Sequence, residues 1–345
     1  MNWPENRSFL KRTFVGFFFL GLCIVAGFVV FLDKKYKAPT GDHHDHTIVI
    51  PKGASLDQIA AVLDEHNIID APFYFSWNAR LRGLHASIKA GEYAFPKERT
   101  LENVLSLLIT GKTVVRKFTA IEGQTTKDII MALNRTEGLE GEILTLPAEG
   151  CLYPATYHFS YGDQRQMIVD RMIKTHQKHL QDLWAGRDQT LPLSSPRDAL
   201  ILASIVEKET HLEKERPRVA GLFYNRLRLG MRLQSDPTVV YGLYRAGGVS
   251  LNHSLSREDL DKPNLFNTYL HSGFPPGPIC NPGFSSLHAV LHPEKTDALY
   301  FVTDGTGGHV FSSTYEEHKR HHQALRLRRQ KAQQSSRANA NKSSH

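Results

Sequence analysis

The sequence predicts an α+β protein with a single N-terminal transmembrane helix, a small α+β module after it and a larger α+β domain beyond. Three observations carry this prediction. Residues 13–32 form an uncharged run of twenty, enough at about 1.5 Å per residue to cross roughly 30 Å of hydrocarbon. Between about 47 and 135 a strand, a tight turn and an amphipathic helix recur three times. Further on, segments with helical apolar spacing alternate with Pro- and Gly-rich loops, and two short strands flank Asp304-Gly305-Thr306-Gly307-Gly308 as a hairpin. A chain of 345 residues can hold two or three domains and bury a sizeable core.

The net charge of +7 is misleading, because residues 319–345 hold eight Lys or Arg and no Asp or Glu, leaving the remainder near neutral. The basicity belongs to a tail, so nucleic acid is not an expected partner. Cys23, Cys151 and Cys280 make no disulfide framework. Neither a phosphate-cradling G-x-x-x-x-G-K-[ST] nor paired CxxC motifs occur, and no cofactor is expected.

Residues 1–12 form a short N-terminus before the span. A retained anchor is preferred to a cleaved signal peptide, because the apolar run is long and no small-x-small site closely follows it. Arg7, Lys11 and Arg12 precede the span and Lys34, Lys35 and Lys37 follow it, so the positive-inside rule does not choose a side. Residues 33–46 read as a linker, solvated over 37–45. Its His43, His44, Asp45 and His46 are neighbours in a polar segment rather than a rigid metal site, and no metal is expected.

The first copy of the recurring pattern covers 48–59 and runs on to Leu63, with a turn at Pro51-Lys52-Gly53 and Ser55 as cap. Shifted by 45 residues, 95–104 repeats it. Shifted by 70, 118–129 repeats it again, with Gly123 and Leu133 in the places of Gly53 and Leu63. A helix over 72–84 and a strand over 90–95 complete the small module. The Pro- and Gly-containing stretch 149–157 reads as a junction, and 167–183 as a long helix.

A helix begins after Ser195, with Pro196 at its first position and Asp198 where a capping box turns back. Residues 199–206 are apolar apart from Ser204, so this helix must be buried on most sides. Glu207 leaves it beside apolar surface. Desolvation there disfavours the charged form and would keep a proton available, as a general acid for a glycosidic oxygen requires. Glu209 points about 200° around the helix, toward solvent. A purely structural Glu207 that merely ends the helix remains open at this point. The next helix covers 215–229 and stops at Gly230. Residues 234–238 form a polar turn before an apolar segment, and 272–283, with four prolines, read as an ordered loop suited to a cleft wall.

ASIVEKET (203–210), FYNRLRLGMRLQSDPTVVYG (223–242), NTYLHSGFPPGPICNPG (267–283) and YFVTDGTGGHVFS (300–312), in this order and at these spacings, resemble the YceG-like family of membrane-anchored endolytic murein transglycosylases. The resemblance spans the whole chain, including a LysM-like module at 47–115 and the junction at 149–157, where Ala155 stands in the place of the family's usual Asp. It implies a YceG-like catalytic domain over 116–322, with Glu207 as the catalytic glutamate. The implied reaction cleaves the β-1,4 bond between N-acetylmuramic acid and N-acetylglucosamine within a strand, leaving a 1,6-anhydromuramyl end. Gln234, Asp236, Asn267 and Tyr269 are, from position and polarity, the candidates for holding sugar hydroxyls or acetamido groups and for steadying oxocarbenium-like charge, with turn and loop hydrogen bonding as the alternative for each. The resemblance further implies a cytoplasmic N-terminus in the inner membrane, contact with the membrane through one helix, and residues beyond about 33 on the outer side. Peptidoglycan glycan strands are the implied substrate, and peptidoglycan synthases (penicillin-binding proteins) the implied partners. The tail, 323–345, reads as disordered. A non-catalytic murein-binding scaffold and a hydrolytic muramidase are the competing functions.

Overall fold

The computed structural model describes residues 6–42, 44–247 and 255–342. It has the α+β content that the sequence predicts, in two compact units, Met1–Arg116 with Phe159–Asp163 and Lys117–His158 with Gln164–His345.

In the first unit, helix α1 (Asn6–Tyr36) contains an apolar stretch from Phe14 long enough to cross a membrane, with a mean hydropathy of 2.8 and exposed side chains. Strand β1 (His46–Ile50) pairs antiparallel with β2 (Gly91–Phe95), placing Ile48 opposite Tyr93. Helices α2 (Leu56–Glu65), α3 (Pro72–Leu81) and α4 (Leu101–Thr110) belong to the same unit, and Ile50, Leu63, Phe75, Tyr93, Phe95 and Leu105 meet in its core. Ser55 and Thr100 each accept a hydrogen bond from the third backbone N–H of their helix.

Lys37, Pro39, His44 and Asp45 are exposed as the sequence suggests, but Thr40 and Asp42 tie the segment to its unit. Thr40 is buried and donates to Asp70 at 2.6 Å, and Asp42 accepts from the buried Arg99 at 2.8 Å. Arg99 also donates to the carbonyls of His44, Asn67, Ile68 and Pro96, so one cation gathers three separate stretches of chain. The polar composition of 37–45 gives no sign of a guanidinium waiting 57 residues away. His43 lies outside the described residues.

Strand β3 (Val115–Thr119) leads into the second unit, where Thr125 caps α5 (Thr126–Arg135), the third helix of the recurring pattern. There follow β4 (Thr156–Ser160), which pairs with β3, and then α6 (Arg165–Ala185), α7 (Pro196–Glu209), α8 (Arg216–Arg228), α9 (Asp236–Gly247), α10 (Arg257–Asp261) and α11 (Phe284–Leu291). The hairpin β5 (Tyr300–Thr303) and β6 (His309–Ser312) leads to α12 (Tyr315–Lys342).

Helix α7 is the centre of this unit. Its capping box joins Ser195 and Asp198, every residue from 199 to 207 is buried, and it packs against α6, α8, α9 and α11. Each fully buried Leu or Ile along it contributes about 1.5–3 kcal/mol. Ser204, the one polar residue of the run, donates to the Ile201 carbonyl and accepts from the Ile279 N–H, so it too is satisfied.

The basic stretch after Ala324 continues α12 to Lys342 instead of lying irregular. Ala, Leu, Arg, Gln and Lys are strong helix formers, and no Gly or Pro interrupts them.

Candidate active site

The two glutamates that close α7 leave it in different directions and meet different chemistry. Glu207 is 5% exposed. Its Oε1 accepts from Arg216 Nη2 at 2.9 Å and its Oε2 from the backbone N–H of Gly283 at 3.0 Å, so both oxygens are engaged by protein. Arg216 is equally buried, and its Nη1 stands 3.7 Å from Glu122 Oε2. The carboxyl group of Glu207 therefore faces a guanidinium rather than bare apolar surface, and it ties α7 to the start of α8 and of α11.

Glu209 does not point into solvent as the helical angle suggests. The chain after α8 folds back over that face, and buried Ser235 donates from Oγ to Glu209 Oε1. Oε2 has no hydrogen bond among the described residues. Burial pushes the Glu209 carboxyl up to about 7, with Asp236 adding to the rise and the Ser235 hydroxyl and Arg226 opposing it.

Glu209 lines a cleft of about 390 Å³ together with Arg226, Gln234, Asp236, Tyr269, Tyr300 and His309. Arg226, itself buried, donates to the carbonyls of Leu233 and Leu299 at 2.7 Å each, clamping the 231–235 loop to the start of the hairpin. Gln234 sits in that loop at φ +50°, a left-handed conformation that costs a non-glycine residue on the order of 1 kcal/mol and presents its amide at the cleft. Tyr269 donates from its hydroxyl to Asp236 Oδ1 at 2.6 Å, fixing both side chains at the rim.

Of the four candidates for binding, Gln234, Asp236 and Tyr269 thus meet around Glu209, whereas Asn267 does not. Its side chain is fully buried, donates to the carbonyls of Leu260 and Lys262 and accepts from the Tyr269 N–H. Asn267 shapes the loop that carries Tyr269, which is the loop-bonding alternative for this residue. Arg226, Tyr300 and His309 escape sequence reasoning, because the hairpin and the end of α8 come together only in three dimensions.

A second cavity of about 340 Å³ shares Asp236 with the first and is lined by Thr125, Asp128, Lys208, Tyr241, Tyr244 and Ile279, among others. Ile279 comes from the proline-rich loop, which lies along α7 through the Ser204 bonds and through Cys280 Sγ to the Ser204 carbonyl. Among the described residues no cluster of His, Cys, Asp and Glu could hold a metal ion.

Comparison with known proteins agrees with the pattern of motifs. The profile of the YceG-like family matches residues 48–324. An endolytic murein transglycosylase of Bacillus subtilis is 30% identical over 305 residues, spanning 79% of this chain and 82% of that one. Another, from Streptococcus pneumoniae, is 26% identical over 363 residues, covering 91% of this chain and 65% of its own length. The crystal structure of a YceG-like protein from Listeria monocytogenes matches with a TM-score of 0.50 at 30% identity, over 81% of this chain and 99% of that one.

Proposed function

The chain belongs to the YceG-like family, and from that premise we propose that it is an endolytic murein lytic transglycosylase whose proton donor is Glu209. One observation carries the assignment: Glu209 is the glutamate of α7 that reaches the cleft, with burial holding its carboxyl near pH 7 and one oxygen free for a ligand. Such a group is protonated often enough to act as an acid and deprotonated often enough to act as a base. Glu207, the residue favoured from sequence, has both oxygens engaged away from the cleft, which suits a positioning role.

In the reaction, Glu209 protonates the glycosidic oxygen between N-acetylmuramic acid and N-acetylglucosamine as the C1–O bond breaks. The resulting carboxylate then takes the proton of the muramyl C6 hydroxyl, whose oxygen closes on C1. The product end is a 1,6-anhydro sugar and Glu209 is again protonated. No water enters, so the second carboxylate that a hydrolase uses as base or nucleophile is not needed. Asp236, Gln234 and Tyr269 stand where they can hold sugar polar groups and balance the positive charge at C1. An enzyme that cuts inside a strand must hold sugars on both sides of the bond, and the cavity beyond Asp236, with Tyr241 and Tyr244 in its wall, gives the strand a path.

In this reading residues 116–322 form the catalytic domain and the 47–115 module orients the strand. Helix α1 anchors the chain in the inner membrane with the cleft on the outer side, beside peptidoglycan synthases that supply new strands. Incubating the full chain with isolated murein and weighing the product ends tests the chemistry. Lytic ends are lighter than hydrolysed ends by one water, and hydrolysed ends as the main product would make the protein a muramidase.

A pH profile gives a second test. Because the protonated carboxyl is the donor, kcat/KM should fall as pH rises through about 7. The Ser235 hydroxyl favours the carboxylate, so Ser235→Ala should carry this alkaline limb to higher pH. A limb that stays in place in that variant would show that another group titrates.

A further inference from the structure

Helix α3 shows an apolar stripe that the core of its unit does not use. Phe73 is 82% exposed, Trp77 36% and Leu81 69%, and their spacing of four puts them along one side of the helix, while Phe75 and Ala79 face inward. Three large apolar side chains in a row differ from the isolated exposed leucine that any protein carries.

What covers the stripe follows from where α3 sits. The Tyr74 hydroxyl, next to Phe73, donates to the backbone carbonyl of Leu32, at the end of the apolar run of α1. Two turns further along, the Arg82 guanidinium lies over the Tyr36 ring at 4.3 Å. Lys35 stands 5.9 Å from the Tyr74 ring, and Tyr74 stacks on Trp77 at 6.1 Å. Tyr36 is itself part of the buried core, so the end of α1 is built into this unit rather than flexibly joined to it. The N-terminal end of α3 therefore stands level with the last apolar turn of α1, and the exposed stripe begins at Phe73, one residue from the contact with Leu32. Aromatic side chains with Lys and Arg beside them, at the point where a spanning helix leaves hydrocarbon, match the composition of a membrane interface.

We infer that Phe73, Trp77 and Leu81 bed into the phospholipid surface beside the point where α1 emerges, so that the small module rests on the bilayer. The inference relies on α1 as a membrane anchor. It gives the module a fixed height and orientation that a single spanning helix with a free joint would not supply.

The test uses the full chain reconstituted in phosphatidylcholine vesicles containing phosphatidylglycerol, with or without phosphatidylcholine brominated near the headgroup end of its acyl chains. The contribution of Trp77 is the difference between the wild-type chain and Trp77→Phe. The expected result is co-flotation with the vesicles and loss of the Trp77 emission to the shallow bromines, with that loss much reduced in Phe73→Ser/Leu81→Ser. Co-flotation with Trp77 emission unaffected by bromine, or with equal quenching in the double variant, would overturn the docking and leave the anchor standing. Failure to float would overturn the anchor and the docking with it.

Discussion

Glu209→Gln is expected to abolish murein digestion, lowering kcat about 10³-fold or more while the thermal unfolding midpoint hardly changes. The amide keeps the size of the side chain and can still accept from Ser235, so little packing is lost. It can neither give up a proton to the leaving oxygen nor remove one from the C6 hydroxyl. General acid and base catalysis contributes typically 10²–10⁴-fold, and in the proposed reaction both halves rest on one group. A loss of 10³ corresponds to about 4 kcal/mol of transition-state stabilisation. Turnover counted as anhydro ends, alongside circular dichroism of the same sample, checks it. Wild-type rates in this variant would return the proton to Glu207.

Glu207→Gln should show the opposite profile. Breaking a buried ion pair from one side costs about 3–5 kcal/mol, because the remaining charge stays desolvated. Here that charge is Arg216, with Glu122 at 3.7 Å as the next carboxylate. The unfolding midpoint should drop sharply, while the folded fraction, assayed at low temperature, retains turnover with its alkaline limb unmoved. Adding Arg216→Met to Glu207→Gln should recover part of the lost stability, since the stranded cation is then removed. A stable Glu207→Gln protein without turnover would contradict the positioning role. Together the two glutamate variants separate a residue that reacts from one that holds the helix end in place.

The sequence made legible what local patterns encode. Ser55 was readable as a cap because capping depends on residues within a single turn, and the repeats at 95–104 and 118–129 place Thr100 and Thr125 in the same role in the structure. The capping box of α7, the four prolines of the 272–283 loop and the hairpin around Gly305 were readable for the same reason. The choice between Glu207 and Glu209 was not. A helical angle tells which way a side chain leaves the helix but not what the rest of the chain lays over it. Glu209 is covered by Ser235, 26 residues later, and Glu207 is met by a guanidinium from the following helix and an N–H 76 residues on. Asn267 reads as a ligand contact from position and polarity, yet its side chain is consumed by the carbonyls of Leu260 at the end of α10 and of Lys262 just beyond it. The signal that could have favoured Glu209 was the 230–238 segment, where a polar turn follows directly on a helix end and must fold back upon something.

The proline-rich loop along α7 bears on how the protein would work over time. Four of its twelve residues have φ fixed by their rings, and Ile279, Cys280, Asn281 and Gly283 are each tied by hydrogen bonds to the scaffold. The conformational freedom of this wall was surrendered when the chain folded, so none of it need be lost when a polysaccharide arrives. If the cavity beside Ile279 takes the glycan as proposed, its wall on this side is already rigid before binding, and affinity there is set by contacts to the sugars rather than by ordering of the loop.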